Sequence, residues 1–238
     1  MTAPLLVVDG LDAFYGSGQI LFGVSLQVSS GQVVALLGRN GAGKSTTLKS
    51  IMGLVPNRRG RVEFEGHGLA GLNAYRIARK GLGYVPEDRR IFGDLTVDEN
   101  LSVGRRQPGA SGAPVWTEER AFDLFPALKA LRHRVAGRLS GGEQQMLAVA
   151  RTLMGNPRLI LMDEPSEGLA PLVTEQMAAA LMTLKKTGLA ILLSEQNVHF
   201  ADFVSDRAYI IEKGHIRAEG PMTALARDPA LRSQYLAV

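Results

Sequence analysis

The stretch VVALLGRNGAGKSTTLKSIMGL, residues 33–54, decides the fold of this chain. An apolar run of strand length leads into a glycine-rich turn, GRNGAGKST, and the turn leads into a run that is compatible with a helix. The spacing G-x-x-x-x-G-K-S lets the backbone wrap closely around phosphate groups, because glycines allow close approach and a helix N-terminus attracts anions. The stretch predicts a nucleotide-phosphate loop. The alternative, a glycine-rich turn without a ligand, is disfavoured by the preceding strand.

Two side chains of this loop have specific expected roles. Lys44 supplies a point charge for the phosphates, and Ser45 reaches a bound Mg²⁺. The residues predicted to bind the nucleotide here are Gly38, Asn40, Gly41, Ala42, Gly43, Lys44, Ser45 and Thr46.

A second motif, RLILMDEP at residues 158–165, complements the phosphate loop. Its apolar residues predict a buried strand, and ligands of open α/β sheets bind at the C-terminal ends of such strands. At this end we expect Asp163 to hold Mg²⁺ and Glu164 to orient or deprotonate the attacking water. In isolation the two acidic residues could be a polar exit to a loop, but the phosphate loop makes that reading weaker.

The third motif is LSGGEQQ, residues 139–145. Ser140 followed by Glu143 is also a plain capping box, which would start a helix without any ligand. However, Gly141 and Gly142 each disfavour a helical turn by about 1 kcal/mol relative to alanine. We therefore interpret the motif as a second phosphate contact at a helix N-terminus.

The hydrophobic pattern predicts an α/β fold. Apolar runs recur at LLVV, VVALLG, LILMDE, LAILLSE and AYIIE, and such runs suit a mostly parallel sheet covered by helices on both faces. Near the N-terminus and in GRVEFEG, residues 60–66, apolar and polar residues alternate instead. This alternation predicts a smaller antiparallel sheet with one solvent-facing side.

A helical insertion is predicted between residues 88 and 157. Thr96 with Glu99 forms a capping-box pattern, and Thr117 precedes two glutamates as at another helix start. Within the insertion RRQPGASGAPVW, residues 105–116, predicts an exposed connection. We expect one domain over 1–238, with a core of 1–87 and 158–238 and a helical subdomain of 88–157.

Composition excludes several classes of site. With 238 residues and 45% hydrophobic content the chain can form a compact core, and without cysteine it has neither disulfides nor thiolate chemistry. Its net charge of +4 comes from scattered basic pairs that are typical of solvated surface, so no nucleic-acid partner is predicted. No basic leader is seen, and no apolar run approaches the roughly 18 residues that span a bilayer. Work at a membrane would require a partner.

The order and spacing of the three motifs resemble the ATP-binding subunit of an ABC transporter over essentially the whole chain. The resemblance implies an ATPase that binds ATP and Mg²⁺ in a head-to-tail dimer. In that family each ATP lies between the phosphate loop of one subunit and the LSGGE of the other. It further implies that Tyr15 stacks on adenine, with an ordinary strand aromatic as the alternative. The implied contacts to the partner's ATP come from Ser140, Gly141, Gly142 and Glu143.

Three positions depart from the commonest family pattern. Glu87 stands where a Mg²⁺-contacting glutamine is usual, Ala170 where an aspartate is usual, and Gln196 where a histidine contacts the γ-phosphate. A degenerate, inactive site is the alternative, but Lys44 and Glu164 carry larger electrostatic effects and are present. Gln196 can still donate a hydrogen bond, so we count it with Lys44 and Glu164 as catalytic and keep Glu87 as a metal ligand.

The departures also narrow the family resemblance. VPEDRRIF, DEPSEGLAP and SEQN together resemble an ATPase subunit of branched-chain amino-acid importers, a type that pairs with a second, non-identical ATPase subunit. The implied partners are a second ATPase subunit in a homo- or heterodimer, two membrane-spanning permeases and, indirectly, a solute-binding protein. The implied place is the cytoplasmic face of the plasma membrane. A urea or amide importer and a lipid or polysaccharide exporter remain alternatives.

The segment of residues 87–92 has two open interpretations. The resemblance places a permease-binding groove here, with Arg89 and Arg90 facing a partner helix and Ile91 and Phe92 forming an apolar floor. The same apolar residues could instead belong to the core of the helical region, with the arginines in surface ion pairs.

Overall fold

The computed structural model describes residues 4–106, 115–228 and 231, and within them two sheets are flanked by helices. The predicted connection at residues 105–116 lies mostly outside the described residues. The strands are β1 (Leu6–Tyr15), β2 (Gly18–Val28), β3 (Val33–Leu37), β4 (Asn57–Phe64), β5 (His67–Gly68), β6 (Leu82–Val85), β7 (Leu159–Asp163), β8 (Ala190–Glu195), β9 (Arg207–Glu212) and β10 (His215–Pro221). The helices are α1 (Lys44–Ile51), α2 (Ala74–Arg79), α3 (Val97–Gly104), α4 (Glu118–Leu124), α5 (Pro126–Ala130), α6 (Gly141–Leu153), α7 (Pro171–Lys186), α8 (Val198–Val204) and α9 (Met222–Arg227), with a 3-10 turn at Ala136–Arg138.

The larger sheet has the strand order β10-β9-β3-β8-β7-β6 and is parallel except for the edge strand β10. Successive residues of β3 enter different cores. Val33 and Ala35 pack into one hydrophobic cluster, whereas Val34 and Leu36 pack into the other. Both faces of the sheet are therefore covered, which explains the continuous apolar runs and confirms the predicted mostly parallel core.

The smaller sheet has the order β2-β1-β4-β5 and is antiparallel throughout. It contains the GRVEFEG alternation in β4, as predicted. The antiparallel sheet predicted near the N-terminus is confirmed, whereas the prediction of a continuous core strand is wrong for the LLVV run. It enters β1, where Leu6 and Val8 are buried and Val7 is only partly buried, because this sheet buries one face.

The predicted helix starts in the insertion are confirmed by their caps. The Thr96 side chain accepts from Glu99 N while the Glu99 carboxylate accepts from Thr96 N, which completes the capping box of α3. Thr117 caps α4 through Arg120 N. No helix in the described part of the chain is long and apolar enough to cross a membrane.

The sheet order brings three chain segments to one edge. Strands β3, β8 and β7 are parallel neighbours, with Leu37 opposite Glu195 and Asp163 opposite Ser194. The residues that follow each strand therefore meet at its C-terminal end, where ligands of such sheets bind.

Candidate functional site

The loop between β3 and α1 packs so closely against its neighbours that two of its positions require glycine. Gly43 has a φ of 109°, in a region that side-chain-bearing residues rarely adopt, and a Cβ there would lie 2.8 Å from Leu21. A Cβ on Gly38 would lie 2.4 Å from the carbonyl oxygen of Ile211. Glycine is thus required at both ends of the loop, as the spacing of the motif predicts.

A cavity of about 400 Å³ opens in front of this loop. Its described walls are Tyr15, Ile20, Asn40, Gly41, Gly43, Lys44, Ser45, Thr46, Glu87, Glu164 and Glu167. Most of the residues predicted to bind nucleotide are among them. Gly38 and Ala42 belong to the same loop but are buried behind its surface.

Lys44 is buried, with 3% of its side chain exposed, and its ammonium group has three oxygen partners. It donates to the carbonyl oxygens of Gly38 at 2.7 Å and Arg39 at 3.1 Å, and it forms an ion pair with Glu164 Oε1 at 3.1 Å. A phosphate oxygen that binds Lys44 would therefore compete with the Glu164 carboxylate for the same ammonium group.

Asp163 is almost fully buried at the end of β7, and its carboxylate accepts three hydrogen bonds. Ser45 Oγ and Ser194 Oγ donate to Oδ1 at 2.9 and 2.7 Å, and the Tyr84 hydroxyl donates to Oδ2 at 3.2 Å. Burial, together with the negative charge of Asp163, raises the pKa of Tyr84, so its hydroxyl stays a donor.

The donor set fits Mg²⁺ that arrives with a nucleotide. Ser45 Oγ and Asp163 Oδ1 lie within hydrogen-bond distance, and Mg²⁺ in nucleotide sites uses one or two protein carboxylates plus phosphates and water. Among the described residues no group of three or more His, Asp and Glu side chains could hold a metal ion by itself. Most ligands would have to come from the nucleotide and water.

Glu164 adopts an unusual backbone conformation, with a φ of 48°. Such values are uncommon outside glycine and persist where surrounding contacts enforce them. Here the Glu164 N–H donates to the carbonyl oxygen and to the hydroxyl of Ser194, both at 3.1 Å. The strand β8 therefore holds the main chain of Glu164 in place beside Lys44.

Gln196, which we predict to contact the γ-phosphate, follows β8 directly and is partly exposed. As far as the described residues form the cavity wall, Gln196 is not part of it. Its neighbour Glu195 is 1% exposed, and burial raises the pKa of that carboxyl to about 7.

The LSGGEQQ motif forms the N-terminus of α6, and Ser140 and Glu143 make the capping box that is the alternative to a phosphate contact. Ser140 Oγ accepts from Glu143 N at 3.3 Å, and Glu143 Oε2 accepts from Ser140 N at 2.7 Å. A Cβ on Gly142 would lie 2.6 Å from Val173 on α7, and one on Gly141 would lie 3.0 Å from the Arg89 guanidinium. Packing alone thus gives a reason for Gly142.

Tyr15 and Glu87 both face the cavity from outside the phosphate loop. Tyr15 is half exposed at the end of β1, a position that leaves its ring available for stacking. Glu87 is exposed and also lines a second cavity of about 510 Å³ beside Tyr84 and Asp163. A carboxylate between the two cavities can reach toward either one.

The segment after Glu87 has a strained backbone and is held by contacts from α6. Arg89 and Arg90 both have left-handed backbones, with φ of 60° and 47°. Arg151 of α6 donates to the Arg90 carbonyl oxygen at 2.7 Å, and its guanidinium lies 5.0 Å from the Phe92 ring centroid. Phe92 is 47% exposed, whereas Ile91 packs against the main core. The two interpretations of this segment therefore each describe one of its apolar residues.

Sequence reasoning missed several residues at this edge. Tyr84 and Ser194 contact Asp163 from neighbouring strands, and nothing in their local sequence indicates this. Glu167 lines the cavity four positions after Asp163, and contact with the Glu164 carboxyl raises its pKa.

Known proteins of one family are similar to this chain over nearly its full length. The family described as ABC transporter matches residues 21–167. The chain is 41% identical over 232 residues to the high-affinity branched-chain amino acid transport ATP-binding protein BraG of Pseudomonas aeruginosa, covering 98% of this chain and 99% of that protein. It is 34% identical over 233 residues to the lipopolysaccharide export system ATP-binding protein LptB of Escherichia coli K12, covering 97% and 96%.

Solved structures give the same result. The crystal structure of a nucleotide-free ATP-binding cassette from an ABC transporter matches with a TM-score of 0.82 at 30% identity, covering 96% of this chain and 97% of that chain. The ADP conformation of MJ1267, an ATP-binding cassette of an ABC transporter, matches with a TM-score of 0.80 at 30% identity, covering 98% of each. The predicted fold class is confirmed.

Proposed function

This chain belongs to the ABC transporter family of ATPases, and we propose that it powers an importer for branched-chain amino acids. One observation carries the proposal for the site. The buried Lys44–Glu164 pair lies next to the Ser45–Asp163 pair at one sheet edge, in front of a cavity of about 400 Å³. A phosphate-binding cation, a metal-binding carboxylate and a candidate base are thus adjacent.

In the proposed reaction the cationic and anionic side chains of the site have different roles. Lys44 neutralises phosphate oxygens, and Glu164 orients or deprotonates the water that attacks the γ-phosphorus. A Mg²⁺ held by Ser45 and Asp163, with Glu87 near, would neutralise the charge that builds up on the phosphates. Gln196 would donate a hydrogen bond to the γ-phosphate, and because it is neutral at all pH values it adds no titration to the reaction.

We propose that the working form is a dimer in which each ATP lies between two chains. The phosphate loop of one chain would face residues 140–143 of the other, with Tyr15 stacking on adenine. The N-terminus of α6 supports this, since Ser140 and Gly141 are exposed there and can meet an anion. The partner can be a second copy of this chain or a different ATPase subunit, and the site suits both.

The transported solute is argued from relatives rather than from the site. BraG, a branched-chain amino acid transport protein by its name, shares 41% of its residues with this chain, whereas the export protein LptB shares 34%. The family departures at Glu87, Ala170 and Gln196 point the same way as the higher identity. A lipid or polysaccharide exporter is the second candidate, and a urea or amide importer is a variant of the first.

The proposal is tested by transport. We expect this chain, reconstituted in liposomes with its two permeases and fed by a solute-binding protein, to drive ATP-dependent uptake of radiolabelled leucine, isoleucine or valine. Uptake of urea or acetamide in place of these amino acids would identify the chain as part of a urea or amide importer. Hydrolysis stimulated by lipopolysaccharide, with no uptake of any of these solutes, would favour the exporter.

We further propose that residues 88–157 act as a helical subdomain that transmits force between the core, 1–87 and 158–238, and the permeases at the cytoplasmic face of the membrane. The groove would lie beside residues 87–92. The exposed Phe92, backed by the Arg151 guanidinium, supports a contact for an apolar side chain of a permease helix. Arg90 pairs with Asp88 at 2.9 Å and would have to exchange that partner.

Replacing Phe92 by alanine should uncouple transport from hydrolysis. We expect uptake in liposomes to fall about tenfold or more while the ATPase rate of the chain without permeases stays within about twofold, because a lost apolar interface anchor costs about 1.5 to 3 kcal/mol. Phe203→Ala, at another exposed phenylalanine, is the matched control. Proportional loss of uptake and soluble ATPase activity would assign Phe92 to the core instead.

A further inference from the structure

Glu195, at the end of β8, is one of three buried carboxylates in the described part of the chain, with Asp163 and Glu164. Unlike those two, it has no assigned task in the proposed reaction. It is 1% exposed, and both of its carboxylate oxygens are used. Oε1 accepts from Ser166 N at 3.0 Å, and Oε2 accepts from Asn197 N at 3.2 Å.

These contacts join segments that lie far apart in sequence. Ser166 is two residues after Glu164, in the loop that leads to α7, and Asn197 directly follows Gln196. The main-chain oxygen of Glu195 also accepts from Gly38 N, at 3.3 Å, where the phosphate loop begins. One residue thus contacts the chain next to the candidate base, next to the γ-phosphate contact and at the first residue of the phosphate loop.

We propose that Glu195 is a positioning residue for ATP hydrolysis, whose carboxylate fixes the loop after Glu164 and the main chain after Gln196 relative to each other. The inference rests on the proposed function, because it assigns Glu195 an effect on that reaction. Glu195 does not touch the cavity as the described residues line it, so it acts through the two segments it holds.

The chemistry requires a carboxylate. Both partners are main-chain N–H donors, and a carboxylate offers two acceptor oxygens with no donor. A glutamine at this position would keep one acceptor and present its amide N–H₂ to the other N–H, which leaves a buried donor without a partner.

An ionised carboxylate at this buried position lowers the stability of the folded state, which argues that Glu195 contributes to function instead. Burial raises the pKa of Glu195 to about 7, although the hydrogen bonds from Ser166 and Asn197 and the Ser166 side chain act in the opposite direction. The folded state therefore binds this proton more tightly than the unfolded state does. The contribution of the residue to stability is present below the unfolded pKa and is lost as pH rises through about 7. Glu195→Gln removes this cost of ionisation, which offsets the cost of the unpaired buried N–H, so the variant is expected to stay folded.

An exposed carboxylate at the opposite end of the sheet, Asp206, provides a control for the chemical change itself, although its Oδ1 also pairs with Lys185. Asp206 Oδ2 accepts from Val33 N at 2.9 Å at the start of β3, and the residue is far from the nucleotide loops along that strand. Asp206→Asn makes the same chemical change, carboxylate to amide, against a main-chain N–H, and it also weakens the exposed ion pair with Lys185. It tests what such a change costs the fold without touching the loops.

The test measures steady-state hydrolysis of Mg-ATP by the full chain at pH 8, together with thermal unfolding. For Glu195→Gln we expect kcat to fall about ten- to a hundredfold, KM for ATP to change less than about threefold, and the melting temperature to match that of the native chain. Glu195→Asp, which keeps two acceptor oxygens, should recover part of kcat. Asp206→Asn should leave kcat within about twofold.

The possible outcomes separate the inference from the function on which it rests. If the native chain hydrolyses ATP and Glu164→Gln does not, but Glu195→Gln keeps its kcat, the positioning role is wrong and the proposed function stands. A loss of kcat that only follows a drop in melting temperature in both Glu195 variants would also overturn it. A native chain without any ATPase activity, alone or with its permeases, would overturn both.

Discussion

Replacing Glu164 by glutamine should lower the rate of ATP hydrolysis at least about a hundredfold and leave ATP binding intact. A positioned general base contributes about 10² to 10⁴ to a rate, and an amide cannot accept the proton of the attacking water. The phosphate-binding groups are untouched by the change, because Lys44 keeps its bonds to the main chain of Gly38 and Arg39. Single-turnover hydrolysis and equilibrium binding of ATP measure the two effects separately.

Glu167→Gln is the matched control for this prediction. Glu167 lines the same cavity and interacts with the Glu164 carboxyl, but it has no ion pair with Lys44. We expect its variant to keep hydrolysis within about tenfold of the native rate. Retained hydrolysis in Glu164→Gln together with loss in Glu167→Gln would move the role of the base from Glu164 to Glu167.

The fold was predictable because its signals are local. The apolar run of β3, the glycine spacing that follows it and the capping boxes at Thr96 and Ser140 each act within a few residues of chain. The one strand placed in the wrong sheet, at LLVV, shows the limit of this reasoning. A short apolar run does not tell which of its residues will be covered until the second sheet face is known.

The site was predictable only in part, because several of its contacts are made across strands. Asp163 and Glu164 could be assigned from their place after an apolar run. Their supports could not be, since Ser194 reaches Asp163 only through the pairing of β7 with β8. Tyr84 reaches it from the other side, through the pairing of β6 with β7.

The glycines of the LSGGEQQ motif show that one sequence pattern can have two physical explanations. From sequence, Gly141 and Gly142 implied a ligand that needs a close backbone. In the fold, a side chain at Gly142 would overlap Val173 of α7, so that glycine is required even without a ligand. Gly141 lacks such a tight apolar neighbour and is exposed, so it is the better of the two for testing a phosphate contact.

Replacing Lys44 by methionine should abolish hydrolysis and also destabilise the protein. We expect ATP affinity to fall at least about tenfold, because a charge-assisted hydrogen bond to phosphate is worth about 1.5 to 3 kcal/mol. Glu164, 8% exposed, would remain as a buried carboxylate without its cation. Breaking a buried pair in this way costs about 3 to 5 kcal/mol of unfolding free energy, which urea denaturation measures.

Removing both charges should restore the fold but not the activity. In Lys44→Met/Glu164→Gln no buried charge of the pair is left unpaired, and replacing a buried ion pair by neutral groups is often close to neutral for stability. We therefore expect the double variant to recover most of the lost unfolding free energy while hydrolysis stays absent. Lys49→Met, on the same helix α1 but away from Glu164, should change neither property by more than about twofold or about 1 kcal/mol. Equal destabilisation of the single and double variants would mean that Lys44 stabilises the fold through the Gly38 and Arg39 carbonyl groups, and that its ion pair with Glu164 adds little.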